Sequence, residues 1–434
     1  MNYLKVLRLL FVILLAFPLQ AQKLSQTEKK IIKQVEQNQH QAIDLLEKVV
    51  NINSGSLNIK GVKKVGAIFA DEFKAIGFTP TWYDMPESMG RAGHLFCELK
   101  TGTIKGKRLL LIGHLDTVFE ENSPFQNFTR DSTLVYGPGV DDMKGGDVII
   151  LFALKALRDA GVLNNTQIIA VFSGDEEKAG NPTSLSRKDL VDAAKRSDIA
   201  LGFEGATGLN YATVARRSAG SWKLETTGVR AHSAGVFTKN VGAGAIYELA
   251  RILNAFYNEL PEENLTFNVA TAVGGTQVTF DDEQSKGTTF GKTNIVPQTA
   301  IASGDIRCLT EDQINNTVAK MKAIVAKNLP HTTAKITFDL EYPAMAPTPG
   351  NYAVLKVLDD LSQALKQGPV LAFDPAKRGA GDISFVAKYV DALDGLGTMG
   401  GGSHTTKEFM ELDHFNDLTK RAALLIYRLI NTKS

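Results

Sequence analysis

Three short apolar runs, Leu109-Leu110-Leu111-Ile112, Ile168-Ile169-Ala170-Val171-Phe172 and Ile199-Ala200-Leu201, each give way abruptly to acids or a histidine. Continuous apolar runs this short read as strands buried on both faces, as in a parallel sheet covered by helices. In open α/β sheets the functional groups collect just beyond the carboxyl ends of such strands. Here those ends lead into Gly113-His114-Leu115-Asp116-Thr117, Asp175-Glu176-Glu177 and Phe203-Glu204-Gly205. Two further clusters are glycine-rich: Gly137-Pro138-Gly139-Val140-Asp141-Asp142-Met143-Lys144-Gly145-Gly146 and Gly401-Gly402-Ser403-His404-Thr405. The five are therefore expected to meet in space, although they are spread from residue 113 to residue 405.

A chain of 434 residues, 44% hydrophobic and 22% charged, is long enough for two domains. Helical apolar spacing over 28–50, over 62–76 with a stop at Gly77, and over 146–160 with a stop at Gly161 alternates with the strands. This α/β pattern holds from 22 to 217. From residue 218 the order becomes strand (221–227), helix (241–258), extended segments (266–280 and 299–307), helix (311–327) and strand (334–342). That is the βαββαβ order of a small ferredoxin-like domain, inserted at 218–342 into a catalytic domain made of 22–217 and 343–434. A helix over 351–366 and the glycine-rich stretch 379–402 complete the larger unit.

Lys5 and Arg8 precede Leu9-Leu10-Phe11-Val12-Ile13-Leu14-Leu15-Ala16, and Leu19-Gln20-Ala21 follows; this is the layout of a secretory signal peptide over 1–21. The run is shorter than the roughly 20 apolar residues of a membrane span, so the mature chain is expected in the periplasm or secreted, with no membrane anchor. The net charge is +1, and loss of Lys5 and Arg8 leaves one net negative charge, which gives no basic face for nucleic acid. Cys97 and Cys308 fall in different expected domains, so no disulfide is expected, and two cysteines cannot make a thiolate zinc site.

Histidine nitrogen with carboxylate oxygen is the donor set that remains, and it suits zinc; cobalt and manganese also fit these donors. Two divalent cations bring four positive charges, of which Asp142, Glu177 and Glu204 return three and a hydroxide would return the fourth. Two-metal sites polarise a carbonyl and generate a nucleophile from water, the chemistry of amide hydrolysis. Adjacent Glu176 and Glu177 point to opposite faces of an extended backbone, so one suits a metal and the other an unligated base. Asp116, two residues after His114, is placed to accept the second ring N–H of that histidine.

Taken together, these motifs resemble the di-zinc metallopeptidase family of glutamate carboxypeptidases, acetylornithine deacetylases and aminoacylases, and most of all the bacterial glutamate carboxypeptidases. The resemblance covers essentially the whole mature chain. It implies that His114, Asp142 and Glu204 hold one zinc, that Asp142, Glu177 and His404 hold the other, and that Asp142 bridges them. The family pattern Asp-x-Lys-Gly-Gly falls on Asp142-Met143-Lys144-Gly145-Gly146, which leaves Asp141 a bystander and implies a cis peptide after Asp142. Glu176 is implied as general acid/base and Asp116 as the partner of His114. The inserted domain is implied to act as lid and dimerisation surface. His232, in Gly228-Val229-Arg230-Ala231-His232, is implied to reach the partner's site and stabilise an oxyanion. Asn294 and Arg307 occupy lid positions that face substrate in relatives.

Where glutamate carboxypeptidases carry a lid arginine before a proline, this chain has Tyr342 before Pro343. Arg378 is the candidate to replace it as carboxylate anchor. The segment 276–291 is a longer lid loop, expected to reshape the cleft or the dimer contact. Three functions follow: an exported carboxypeptidase acting on small peptides, an N-acyl-amino-acid deacylase, and, in a different class, a non-catalytic periplasmic binding protein. His40, His94, His331 and His414 read as ordinary histidines and Asp175 as a turn residue satisfied by backbone. Arg307 also reads as an ion-pair partner within the lid, and His232 as a lid histidine with a hydrogen-bonding role only.

Overall fold

The structure is a computed structural model that describes residues 23–432 apart from residue 283; the expected signal peptide lies outside the described residues. Its centre is a six-stranded sheet in the spatial order Thr79–Tyr83, His94–Lys100, Gln167–Ser173, Leu109–His114, Ile199–Gly202 and Asp391–Leu393. The last four strands run parallel, and His94–Lys100 runs against them and pairs antiparallel with Thr79–Tyr83. The sheet is therefore mixed. The three apolar runs form its middle.

Side chains of these strands alternate between two cores, as the two-residue period of a pleated strand requires. Leu109, Leu111, Ile168, Ala170, Phe172, Ile199 and Leu201 enter the larger core, whereas Leu110, Ile112, Ile169, Val171 and Ala200 enter the smaller. Helices Gln26–Val50, Ile59–Ala75, Lys144–Ala160 and Leu412–Asn431 cover the first face. Phe69 stacks on Phe172 at 5.5 Å and Phe73 packs against the same ring at 5.4 Å, with no exposure to solvent. Truncating one of these phenylalanines to alanine costs about 3–5 kcal/mol in a typical core. Lys144–Ala160 stops at Gly161, whose left-handed φ of 75° a side chain would oppose.

The chain then makes a second, antiparallel sheet in the order Thr266–Phe267 with Thr271–Gly275, Thr299–Arg307, Ala219–Gly228 and Thr332–Tyr342. Helices Ala245–Glu259 and Glu311–Val325 pack on it around Trp222, Leu224, Phe256 and Met321. This is the expected βαββαβ lid. Its expected extended segment 266–280 is broken into shorter strands, because 276–291 folds back as a separate hairpin of Gln277–Asp281 against Lys286–Phe290.

The helix Leu412–Asn431 was absent from the sequence expectations, although Phe415, Leu418, Ala422, Leu425 and Leu429 repeat at helical spacing and are all buried. Cys97 and Cys308 are both free and buried, in different cores. Among the described residues no helix is long and apolar enough to cross a membrane.

Candidate metal centre

His114 is the last residue of its strand and is 1% exposed. Its Nδ1 lies 3.0 Å from the main-chain oxygen of Asp116. A carbonyl can only accept, so Nδ1 carries the proton and Nε2 is left as the ligating nitrogen. Nε2 faces Asp142 Oδ1 at 3.2 Å and Glu204 Oε1 at 3.8 Å. Asp142 stands just before the helix Lys144–Ala160, across a cis Asp142–Met143 peptide. Glu204 lies two residues past the strand Ile199–Gly202.

On the other side of Asp142, His404 Nε2 lies 3.2 Å from Oδ2 and 3.1 Å from Glu177 Oε2. His404 has a left-handed φ of 63°, a conformation that in a non-glycine residue persists where its surroundings hold it and that clusters at functional sites. Unlike His114, it is 59% exposed at its side chain. Two groups result, His114-Asp142-Glu204 and Asp142-Glu177-His404, each with its ligand atoms within 4.8 Å of one another. Asp142 belongs to both.

Glu176 belongs to neither group, yet its Oε2 is 4.0 Å from His114 Nε2. The main-chain N–H groups of Glu176 and Glu177 donate to the two oxygens of Asp116 at 3.0 and 3.1 Å, and Ser56 Oγ donates to the same carboxylate at 2.6 Å. The Asp116 carboxylate thus has a task besides the one expected: it locks the 176–177 turn, while its Oδ1 stays 3.5 Å from His114 Nδ1. The nearest partner of that ring nitrogen is the main-chain oxygen. Asp116 also lies past the strand end, not on the strand face expected for it.

Electrostatically the cluster calls for cations. Burial, reinforced by the charge of Asp142, pushes Glu204 up to about 7. Burial likewise raises Glu176 well above the carboxylate range, with Glu204, Asp382 and Glu177 adding to it against His114. The hydrogen bonds of Asp142 and Glu177 push His404 up to about 11. Asp142 alone is held well below the usual range, because its contacts with both imidazoles outweigh its burial. Two nitrogen donors and three carboxylates, with repulsion that divalent cations would relieve, fit a pair of zinc-like ions.

Several charged residues without an expected role hold this geometry. Glu408 Oε1 accepts the N–H groups of Asp141 and Asp142 at 2.9 and 3.0 Å. Asp141 is buried and accepts from Thr398 Oγ1 at 2.9 Å, more than a bystander. Asp175 does accept the Gly180 N–H at 2.7 Å, but the turn reading was incomplete: it also pairs with fully buried Arg187, whose Nε reaches Asp382 at 2.6 Å. His94, also buried, is a core histidine between Ser186 O and Gly174 N.

Among the described residues, His232, Asn294 and Arg307 make their contacts within the lid, whereas Arg378 and Tyr342 touch the backbone beside the cluster. His232 is exposed, accepts the Ala234 N–H, and pairs along the backbone with Ile295, next to exposed Asn294. Arg307 Nε sits 3.1 Å from Asp305, the within-lid ion pair. Arg378 Nη2 donates to Gly205 O at 2.8 Å, against the turn that carries Glu204. The Tyr342 hydroxyl donates to the main-chain oxygen of Glu176 at 3.0 Å.

A doubly wound α/β sheet carrying paired histidine-carboxylate groups on a shared aspartate, under an inserted antiparallel lid, defines a metallohydrolase acting on amides. The chain belongs to the peptidase family M20/M25/M40, whose model matches residues 110–428. The YXEP protein of Bacillus subtilis, a dinuclear metal-binding peptidase of the M20 family, shares the fold with a TM-score of 0.63 at 13% identity, over 92% of this chain and 99% of that one. The chain is 29% identical to carboxypeptidase G2 of Pseudomonas sp. over 412 residues, 89% of each chain. It is 23% identical to succinyl-diaminopimelate desuccinylase of Paraburkholderia xenovorans over 75% of this chain and 84% of that one. The aminopeptidase PepT of Bacillus cereus shares the fold with a TM-score of 0.72 at 18% identity, over 90% of this chain and 99% of that one. Family membership sets aside the binding-protein reading.

Proposed function

We propose that the chain is an exported two-zinc carboxypeptidase that releases the C-terminal residue of small peptides or folate-like amides. The observation that carries this reading is Asp142, whose two oxygens each lie 3.2 Å from a different histidine, with Glu176 beside the pair and outside both groups. His114 and Glu204 would hold one ion, Glu177 and His404 the other, with Asp142 between them. When bound, the ions polarise the scissile carbonyl and make water acidic enough to attack. Glu176, beside the pair and outside both ligand groups, takes the proton of the attacking water and delivers it to the leaving nitrogen. Asp116 keeps the Glu176–Glu177 turn in place. His232 of a second subunit donates to the developing oxyanion, which is the role of the homodimer formed through the lid. The N-terminal leader pattern supports a periplasmic or secreted location.

An N-acyl-amino-acid deacylase is the second reading, supported by the similarity to a succinyl-diaminopimelate desuccinylase. The neutral phenol of Tyr342, committed to the Glu176 carbonyl, cannot clamp a terminal carboxylate as an arginine does. A carboxypeptidase must then anchor the free acid through Arg307 or Arg378. The test is a panel of dipeptides, their C-terminal amides and N-acyl amino acids on zinc-loaded enzyme, repeated with Arg307→Ala and Arg378→Ala. The carboxypeptidase reading expects free-acid dipeptides to lead in kcat/KM by about tenfold or more, about 1.4 kcal/mol of transition-state preference, and one arginine variant to erase the lead. Preference for acyl amino acids makes it a deacylase, and inert enzyme with both metals bound sinks both readings.

A further inference from the structure

The peptide that follows Glu176 is pinned from two directions. Asp116 accepts the N–H groups on either side of the Glu176 residue, at 3.0 and 3.1 Å, and comes from the catalytic sheet. The carbonyl oxygen of Glu176 accepts the Tyr342 hydroxyl at 3.0 Å, and Tyr342 comes from the lid. Tyr342 ends the lid strand Thr332–Tyr342, just past a bulge, where it pairs with Ala219 at the start of the first lid strand. It therefore stands at the junction through which both lid connections pass.

The phenol is seated as well as bonded. Its ring meets Phe385 edge-on at 5.0 Å, and the Arg187 guanidinium lies 5.6 Å from the centre of the Phe385 ring. Arg187 is held in turn by Asp175, the residue before Glu176, and by Asp382. Ring, guanidinium and hydroxyl thus converge on residues 175 and 176. Burial keeps the hydroxyl protonated far above neutral pH, so it remains a donor throughout the working range.

We infer that Tyr342 is a lid-borne positioning residue: its hydroxyl holds the Glu176 carbonyl so that the neighbouring carboxylate faces the scissile bond only when the lid strand is in place. This rests on the reading of Glu176 as proton carrier. Tyr342 acts through Glu176 and does not touch substrate. Its expected signature is a change in kcat at constant KM, because alignment of the base matters in the transition state and not in ground-state binding.

The test uses the zinc-loaded full chain and the best substrate of the panel above. Tyr342→Phe keeps the ring and removes the hydroxyl, and should lower kcat about tenfold, the scale of one hydrogen bond, with KM within about twofold and both metals retained. Phe385→Leu keeps the hydroxyl but unseats the ring, and should show the same split to a smaller degree, which keeps the question open to test if Tyr342→Phe folds poorly. Unchanged kcat in both variants overturns the inference. So does a rise in KM at constant kcat, which would place the phenol on the substrate. Loss of metal along with rate also overturns it, since Tyr342 would then only support the fold. Glu176→Gln is assayed in parallel: if that variant stays active, the reading of Glu176 as base has failed, which is a different failure from an indifferent Tyr342.

Discussion

Glu176 and Glu177 are adjacent in sequence and opposite in circumstance. Glu177 turns to His404 at 3.1 Å, whereas Glu176 turns towards His114 without joining either ligand group. Glu176→Gln is expected to keep both metals and the fold while losing about 10²–10⁴ in kcat, the usual contribution of a positioned acid/base. His404→Ala should lose metal together with rate. Atomic absorption on both variants decides the matter, and a Glu176→Gln protein short of metal would mean that base and ligand are exchanged. The histidines and acids that meet here were legible because each stands where an apolar run or a glycine turn ends, and local pattern records such ends. Glu408, Arg187 and Asp382 were not legible. Their partners lie 266, 12 and 195 residues away in sequence, and a lone charged residue has no period to betray a distant contact. Tyr342 was visible as a departure from the family pattern, but its bond to a main-chain oxygen was not.

At the scale of elements, the first and last helices are tied end to end, which no local pattern foretells. Glu28 closes a capping box with Ser25 and reaches Arg428 of the helix Leu412–Asn431 at 2.8 Å, with its side chain 8% exposed. Burial raises its pKa, but the bonds from Ser25 and Arg428 win and hold it below the ordinary 4.5. A carboxylate with a depressed folded pKa contributes stability that is present above the unfolded value and is lost as pH falls through the folded one. Glu28→Gln should therefore cost about 1–2 kcal/mol at neutral pH, the net worth of a charged hydrogen bond less what the amide retains. The deficit should shrink as pH falls through 4.5, where the unfolded carboxylate is half protonated, towards the lower folded value. Denaturant unfolding of both proteins across that window measures it, and a pH-independent deficit would assign the loss to packing. Apolar spacing placed most helices within a few residues of their observed ends, since Ser25, Asn58 and Gly161 mark those ends by capping or turning the chain. The edge strand Thr79–Tyr83 escaped notice because it is partly exposed and holds a proline, so its apolar signal is weak.

At the scale of the whole molecule, the lid poses a geometric question that one chain does not answer. His232 is exposed on a lid loop beside Asn294, and among the described residues it makes no bond to the two ligand groups of its own chain. An oxyanion donor must lie within hydrogen-bond distance of the reacting carbonyl. A lid histidine held away from its own centre is useful for catalysis if a second copy places its centre there, and a twofold dimer does this for both sites at once. Phe237 and Tyr247, 67% and 56% exposed with their rings 5.5 Å apart on the lid, are apolar surface that such a dimer would cover. Glu176→Gln subunits and His232→Ala subunits should each be nearly inactive alone. Mixed and allowed to exchange, they should recover about a quarter of the wild-type rate, because about half of randomly paired dimers are mixed and each of these has one of its two sites intact. Recovery must track the mixed-dimer fraction measured by native mass spectrometry. Proven exchange without recovery would show that His232 serves its own chain or no chain, and a protein that stays monomeric at assay concentration would remove the dimer while leaving the chemistry of the metal centre untouched.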